Sequence, residues 1–188
     1  MHSILVAVAA FALSASVAAV DIEGVTLPDK ASIAGHDVVL NGAGVRKKVV
    51  FKVYVGSLWL PQKAKDLAGV LAQSPRRIQM NLLRKLSADQ LVDALVDGLD
   101  DNTNAAELEA IKPQTDALVA AMKGFGDVKD GSTVTLDFVD GATHVTLDGR
   151  ERATIPGDAF NRALTRVWLG DHPAQASLKS AMLHGAAN

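Results

Sequence analysis

The stretch "LNGAGVRKKVVFKVYVGSLWLP", from Leu40 to Pro61, is the most informative segment of the chain. Asn41-Gly42 is a dipeptide typical of tight turns between strands, and the run from Val45 to Leu60 is rich in residues that favour strands. One arginine, Arg46, and one tyrosine, Tyr54, interrupt the apolar pattern. The sequence therefore predicts a hairpin turn that leads into a long strand with two candidate functional side chains.

Length and composition exclude several classes of function. A chain of 188 residues fits one domain with a substantial core. With 19 Lys and Arg against 21 Asp and Glu, the net charge is -2, so the basic surface that nucleic-acid binding requires is missing. The sequence has no cysteine, and its histidines show neither HExxH nor paired i,i+4 spacing. We therefore predict no disulfide, no metal site and no cofactor.

The N-terminal segment "ILVAVAAFALSASVAA" is apolar and ends in small residues, as signal peptides do. It is shorter than the roughly twenty residues that a membrane span needs. We therefore predict a signal peptide over residues 1–19, a domain over residues 20–188, and no stable membrane span after cleavage. The expected location is outside the cytoplasm, in a bacterial periplasm. A retained anchor and a buried N-terminal helix are the alternatives, because no Lys or Arg precedes the apolar run.

Periodicity divides the rest of the chain into strands, helices, a hairpin and further helices. "RRIQMNLLR" alternates apolar and polar residues, which predicts a half-buried strand. Ser87, with Gln90 three residues later, matches a capping box and predicts a helix start. Asp140-Gly141 predicts a hairpin turn, and a helix is predicted from about Pro156 to Gly170. Because strands and helices do not alternate regularly, this order predicts an α+β fold with a mainly antiparallel sheet.

Known catalytic motifs are absent from the sequence. "GAG" lacks the Gly-Lys-Ser/Thr ending of a phosphate loop and runs from strand to strand, and no GxSxG elbow occurs. By pattern alone, Arg46, Lys47 and Lys48 are three consecutive solvated charges. Charged side chains on an edge strand are a common protection against aggregation. Residue patterns by themselves therefore favour a structural role for Arg46.

The opening stretch resembles the signature of the chalcone isomerase family, a Leu-Gly-Gly-Ala-Gly-x-Arg run followed by a strand that ends near Val-Tyr-Leu. "LRKLSADQL" is similar to the family segment before the central helices, and "ALTRVWLGDHPAQASLKSAML" is similar to the C-terminal helix pair. The resemblance extends from about Leu40 to Met182 and is greatest to bacterial, chalcone isomerase-like members. It implies an open-faced β-sandwich, in which a layer of helices covers a large antiparallel sheet and an apolar cleft separates them.

The same resemblance implies roles for single residues. Arg46 matches the catalytic arginine of the plant enzymes, which close chalcones to flavanones. Four further active-site positions, which are polar in those enzymes, match Tyr54, Leu91, Gly98 and Val167. Three of the four are apolar here, so the hydrogen-bond network that orients the ketone is lost. Cyclisation of a chalcone is therefore not expected.

Non-catalytic members of the family carry an arginine and a tyrosine at these two places and bind a fatty acid. The resemblance thus implies that Arg46 and Tyr54 hold the carboxylate of a small apolar acid, a fatty acid, without turnover. Two alternatives remain open. One is an isomerase or intramolecular lyase that acts on an unknown enone, and the other is a protein-interaction module whose cleft is filled by side chains.

Arg46 and Tyr54 can bind one carboxylate only if their side chains lie close together. On one continuous strand, Arg46 and Tyr54 would lie on the same face but about 26 Å apart, at roughly 3.3 Å per residue. They can share a ligand only if the chain bends between them. Lys47-Lys48 is the predicted place of this bend.

Overall fold

A computed structural model describes residues 19–185, which form nine strands and six helices. Residues 1–18 of the predicted signal peptide lie outside this part of the chain. The strands are β1 (Ala19–Ile22), β2 (Val25–Pro28), β3 (Lys30–Ile33), β4 (His36–Lys48), β5 (Phe51–Leu60), β6 (Arg76–Leu82), β7 (Thr133–Val139), β8 (Ala142–Leu147) and β9 (Arg150–Pro156). The helices are α1 (Leu67–Leu71), α2 (Ala88–Asn102), α3 (Ala105–Ala110), α4 (Lys112–Lys123), α5 (Asp158–Leu169) and α6 (Ala176–His184). None of these helices is long and apolar enough to cross a bilayer.

Strands β3 to β9 form one seven-stranded sheet in chain order, and each strand pairs antiparallel with the next. Strands β1 and β2 form a separate two-stranded hairpin. Because every neighbouring pair is antiparallel, short turns connect most of the strands and no crossover helix is needed. The predicted α+β class, with an antiparallel sheet, is confirmed.

The sheet separates two apolar cores. Tyr54, Leu58 and Leu60 of β5 face the larger core, which the helices cover. Val55 and Trp59 face the opposite side, where they pack with residues of β1–β2, β3 and β4. Burial on both faces explains why β5 is apolar almost throughout instead of alternating. The predicted layer of helices on one face of the sheet is therefore confirmed.

The predicted hairpin turn at Asn41-Gly42 is wrong, because both residues lie within β4, where the register shifts between Leu40 and Gly42. The Asn41 side chain donates to the carbonyl oxygens of Ala64 at 3.0 Å and Met182 at 2.7 Å, and accepts from the amide of Ala64 at 2.7 Å. These buried bonds to distant segments hold the residue in an extended strand and outweigh the local preference for a turn.

The glycines of "GAG" allow α6 to lie directly against β4. A Cβ atom at Gly42 would come within 2.2 Å of the Ala181 carbonyl oxygen, and one at Gly44 within 2.7 Å of the Ala181 Cβ. Because real Cβ atoms do not approach so closely, any larger residue would push the helix away. The small residues of this motif therefore serve helix packing.

The other local predictions have mixed outcomes. The strand "RRIQMNLLR" and the capping box of Ser87 and Gln90 are confirmed as β6 and the start of α2. The hairpin at Asp140-Gly141 is also confirmed, with both residues at positive φ. Strand β9 was not predicted. Most of its residues are exposed at the sheet edge, so the apolar alternation that marks a half-buried strand is weak.

Candidate ligand cleft

Arg46 and Tyr54 lie directly opposite each other on the paired strands β4 and β5. The chain reverses at Val49-Val50 and not at the predicted Lys47-Lys48, which belong to β4. Residues opposite each other in an antiparallel pair have Cα atoms only about 4.5–5.5 Å apart and point to the same face. Arg46 and Tyr54 are therefore close enough to share a ligand, and their side chains converge on the face of the sheet that the helices cover.

Tyr54 presents a neutral phenol to this face. Its side chain is 8% exposed, and its oxygen accepts a hydrogen bond of 3.0 Å from the indole Nε1 of Trp168. Burial raises the pKa of Tyr54, against smaller opposing effects of the Trp168 hydrogen bond and of Arg46. Because Trp168 uses the oxygen as an acceptor, the phenolic proton remains free to be donated to a ligand.

Arg46 is half-buried beside Tyr54, whereas Lys47 and Lys48 are exposed. Its Nη1 donates to the Gln175 side-chain oxygen at 3.3 Å and also to the Lys47 carbonyl. The same Gln175 oxygen accepts from the Lys47 amide at 2.7 Å, which ties this end of β4 to the start of α6. Within residues 19–185, Arg46 forms no ion pair with a carboxylate. Its charge is therefore held in place but not neutralised.

Both side chains line a cleft of about 700 Å³ between the sheet and the helices. The interior of the cleft is apolar, formed by Val53, Met80, Leu91, Leu95, Met122, Val167 and Trp168. Charged residues also line it: Arg46 and Lys48 of β4, Arg84 after β6, and Asp93, Asp97 and Asp101 of α2. An apolar space with a few polar groups is the usual form of a small-molecule site.

The positions that the family resemblance assigned to catalysis are gathered around this cleft. Leu91, Gly98 and Val167 all line it, although they lie on two different helices. A Cβ atom at Gly98 would lie 2.6 Å from Val167 Cγ1, so the two positions are packed against each other. The cleft therefore has apolar contacts where the plant enzymes are expected to place hydrogen-bonding groups.

Sequence reasoning missed two residues of the site. One is Trp168, which is buried and donates to Tyr54. Gln175 received no prediction, because its partners Val45, Arg46 and Lys47 lie about 130 positions earlier in the chain. An amide side chain gives no local signal for a contact at that distance in sequence. Among the described residues, no group of three or more His, Cys, Asp or Glu could hold a metal.

A second, smaller pocket of about 280 Å³ lies near the start of α5. It is lined by Arg76, Phe138, Asp158 and Arg162, among others, and contains neither Arg46 nor Tyr54. The Arg76 guanidinium lies 4.8 Å from the centroid of the Phe138 ring, and burial lowers its pKa to about 10. This pocket is small and polar, so it does not suit an apolar ligand.

Sequence comparison agrees with this architecture. A family model described as chalcone isomerase-like matches residues 19–184. The chain belongs to the chalcone isomerase-like family. The resemblance inferred from the sequence motifs is thereby confirmed, and it extends over the whole of the described domain. No curated protein sequence matches the chain significantly.

Comparison with a solved structure concerns the fold. The crystal structure of the Arabidopsis thaliana fatty-acid binding protein AtFAP1 matches with a TM-score of 0.67 and 15% sequence identity. The match covers 88% of this chain and 96% of that chain. At this identity the likeness shows the fold, which is that of the chalcone isomerase-like family, with its sheet and covering helices.

Proposed function

We propose that this protein binds a fatty acid in its cleft without converting it chemically. The observation that carries the proposal is the pairing of Arg46 and Tyr54 across β4 and β5, where both line a cleft with an apolar interior. A guanidinium matches a carboxylate in both charge and geometry, and the free phenolic proton of Tyr54 adds a second kind of donor. The two side chains together thus suit one carboxylate.

The rest of the cleft suits an acyl chain. Its volume of about 700 Å³ lies within the range of roughly 300–1,000 Å³ that small-molecule sites occupy. Apolar side chains cover its interior, so an acyl chain would leave water without burying an unpaired polar group. The fold is shared with a protein described as fatty-acid binding, which supports the same class of ligand.

The two alternatives have less support. An isomerase would need hydrogen-bond donors near a substrate ketone, yet Leu91, Gly98 and Val167 are apolar and two of them pack together. A protein-interaction module with a filled cleft would leave no space beneath the sheet, yet the cleft is open. Export through a signal peptide over residues 1–19 remains part of the proposal. N-terminal sequencing of the protein from its host is expected to find a start near Val20.

The test compares a fatty acid with its methyl ester, which keeps the acyl chain and loses the charge. We expect the parent protein to bind the acid more tightly. Arg46→Ala removes charge-assisted bonds of about 1.5–3 kcal/mol, so its affinity for the acid should fall roughly 10- to 100-fold. Titration calorimetry measures both ligands, and thermal melting checks that the variant is folded.

Arg152→Ala is the matched control, because Arg152 is an exposed arginine on the edge strand β9 and does not line the cleft. This variant should bind the acid and the ester as the parent does. If Arg46→Ala keeps the parent's preference for the acid over the ester, the proposed carboxylate site is wrong. Turnover of an enone that Arg46→Ala abolishes would instead favour the isomerase.

A further inference from the structure

The tip of the β4–β5 hairpin exposes three consecutive apolar residues. Val49 is 89% exposed, Val50 is 79% exposed and Phe51 is 58% exposed. Val20, at 38%, is the other large apolar side chain of residues 19–185 that is exposed. Contiguous exposed apolar surface of this kind marks a site of interaction with a protein or a membrane.

The turn itself is unfavourable for folding. The four other two-residue turns of the described chain are Glu23-Gly24, Ala34-Gly35, Asp140-Gly141 and Asp148-Gly149, and each ends in glycine. The β4–β5 turn has valine at both positions, and Val49 adopts a φ of 57°. A β-branched residue at positive φ is a strained outlier, and strain of this kind is typical of functional sites. The requirements of a turn do not explain Val49 and Val50.

Positive charge surrounds the apolar tip. The exposed cations are Lys47, Lys48, Lys52 and Arg84, and Lys52 is paired with the Glu23 carboxylate at 2.6 Å. Lys47 and Lys52 face each other across the hairpin, and Glu23 offsets the charge of Lys52 alone. The Arg84 guanidinium lies 4.8 Å from the centroid of the Phe51 ring, so this cation stays beside the apolar surface. Lys47 and Lys48 form no ion pair within residues 19–185.

An apolar tip within a ring of cations complements the surface of an anionic bilayer. The apolar side chains match the acyl region, and the cations match the phosphate groups directly above it. The whole chain has a net charge of -2, so this attraction is local to the tip. Asp93, Asp97 and Asp101 lie on α2, and an anionic surface repels them. The charge pattern therefore favours contact through the hairpin tip over contact through α2.

We propose that the tip of the β4–β5 hairpin docks onto an anionic phospholipid surface, with Val49, Val50 and Phe51 inserted among the acyl chains. Lys48, Val49 and Phe51 also line the cleft, so docking places the mouth of the cleft at the lipid surface. A fatty acid then passes between bilayer and cleft without crossing water. Docking stands independently of the ligand, whereas this transfer rests on the function proposed above.

The absence of cysteine allows a direct test in the full-length chain. Val50→Cys carries an environment-sensitive dye at the tip, and Lys63→Cys carries the same dye beyond the far end of β5, about 30 Å away by strand rise. Vesicles of phosphatidylglycerol and phosphatidylethanolamine should shift the emission of the dye at position 50 towards the blue. The dye at position 63 should not respond, and neither should either dye with phosphatidylcholine alone.

A charge-matched pair of variants then separates the tip from the rest of the surface. Two lysines near an anionic surface together contribute about thirtyfold to partitioning, at roughly fivefold each. In the Val50→Cys background, Lys47→Gln with Lys52→Gln should weaken vesicle binding by about this factor, and neither residue lines the cleft. Lys63→Gln with Lys65→Gln removes the same charge at the far end and should change little.

Three outcomes would overturn docking: no shift at position 50, an equal shift at position 63, or an equal response to neutral lipid. A shift at position 50 that requires an added protein fraction would replace the bilayer with a protein partner. Transfer of a fluorescent fatty acid from vesicles tests the second step. Arg46→Ala should weaken loading roughly 10- to 100-fold and leave the vesicle response of the dye largely unchanged, so a failure of ligand binding is distinguishable from a failure of docking.

Discussion

The hairpins β4–β5 and β7–β8 belong to the same sheet and have turns of the same length, yet they are built differently. The β7–β8 hairpin turns at Asp140-Gly141, with both residues at positive φ, as two-residue turns prefer. The β4–β5 hairpin turns at Val49-Val50, with a strained valine and exposed apolar side chains. The hairpin that does not line the cleft follows turn chemistry, and the hairpin that lines the cleft departs from it.

Cross-strand pairs show the same difference. On β7–β8, the hydroxyl oxygens of Thr135 and Thr146 lie 2.7 Å apart and form a hydrogen bond that stabilises the pairing. On β4–β5, Lys47 and Lys52 are opposite each other and share no such bond, so Glu23 must offset the charge of Lys52 from outside the pair. Residue choices that weaken a hairpin are concentrated where it meets the cleft, which suggests that function and not folding selects them.

The largest effect is expected when the valine turn is moved into the β7–β8 hairpin. Asp140→Val with Gly141→Val places β-branched residues at φ values of 52° and 72°. We expect the free energy of unfolding to fall by about 2–4 kcal/mol, because each position then carries backbone strain. Denaturant unfolding measures this change. A loss well below 1 kcal/mol would show that the sheet tolerates valine turns and would remove the contrast.

Removing the Tyr54 hydroxyl tests the buried contact of the cleft hairpin. Tyr54→Phe leaves the indole N–H of Trp168 without its acceptor in a buried position. The free energy of unfolding should fall by about 1–3 kcal/mol, the cost of an unsatisfied buried donor. Phe51→Leu, at an exposed position of the same strand, is the control and should alter stability far less. Equal effects of both substitutions would contradict the role given to this hydrogen bond.

Relieving the strain of the β4–β5 turn should raise the free energy of unfolding. Val49→Gly removes backbone strain of about 1–3 kcal/mol, and the entropy lost by glycine returns roughly 0.5–1 kcal/mol. The net gain in the free energy of unfolding should therefore be about 1 kcal/mol. Val50→Gly, at a residue without positive φ, is the matched control and should not stabilise the protein. Destabilisation by Val49→Gly would show that the turn is not strained.

The prediction with the smallest effect on stability at neutral pH concerns the ionisation of the Tyr54 phenol. It is the only tyrosine of the chain, so tyrosinate absorbance reports this residue alone. Because the pKa of Tyr54 is raised in the folded state, the protein at pH 10 should show less tyrosinate than the unfolded chain. The stabilisation linked to this shift is present below pH 10 and is lost as the pH rises through the folded-state pKa.

The free energy of unfolding should therefore fall less between pH 8 and above pH 10 in Tyr54→Phe than in the parent. Denaturant unfolding at the two pH values measures this difference. The lysines that also titrate there are common to both proteins. Half-ionised tyrosine at pH 10 in the folded parent would contradict the burial of the phenol.

Local signals predicted the parts of the fold in which a residue and its partner are close in sequence. The capping box of Ser87 and Gln90 and the turn at Asp140-Gly141 formed as predicted, because each is stabilised within a few residues. The prediction failed at Asn41-Gly42, where bonds to Ala64 and Met182 override the turn. It also missed β9, an exposed edge strand with little apolar alternation.

Sequence motifs were sufficient to predict the family, the α+β class and the choice of Arg46 and Tyr54 as candidate ligand residues. The convergence of these two side chains is visible only in the folded chain, because the turn at Val49-Val50 has no local turn signal. The folded chain also shows that Gln175 orients Arg46 and that Trp168 donates a hydrogen bond to the phenolic oxygen of Tyr54. These contacts join segments more than a hundred residues apart. Only sheet pairing and helix packing bring such segments together, and no local pattern encodes them.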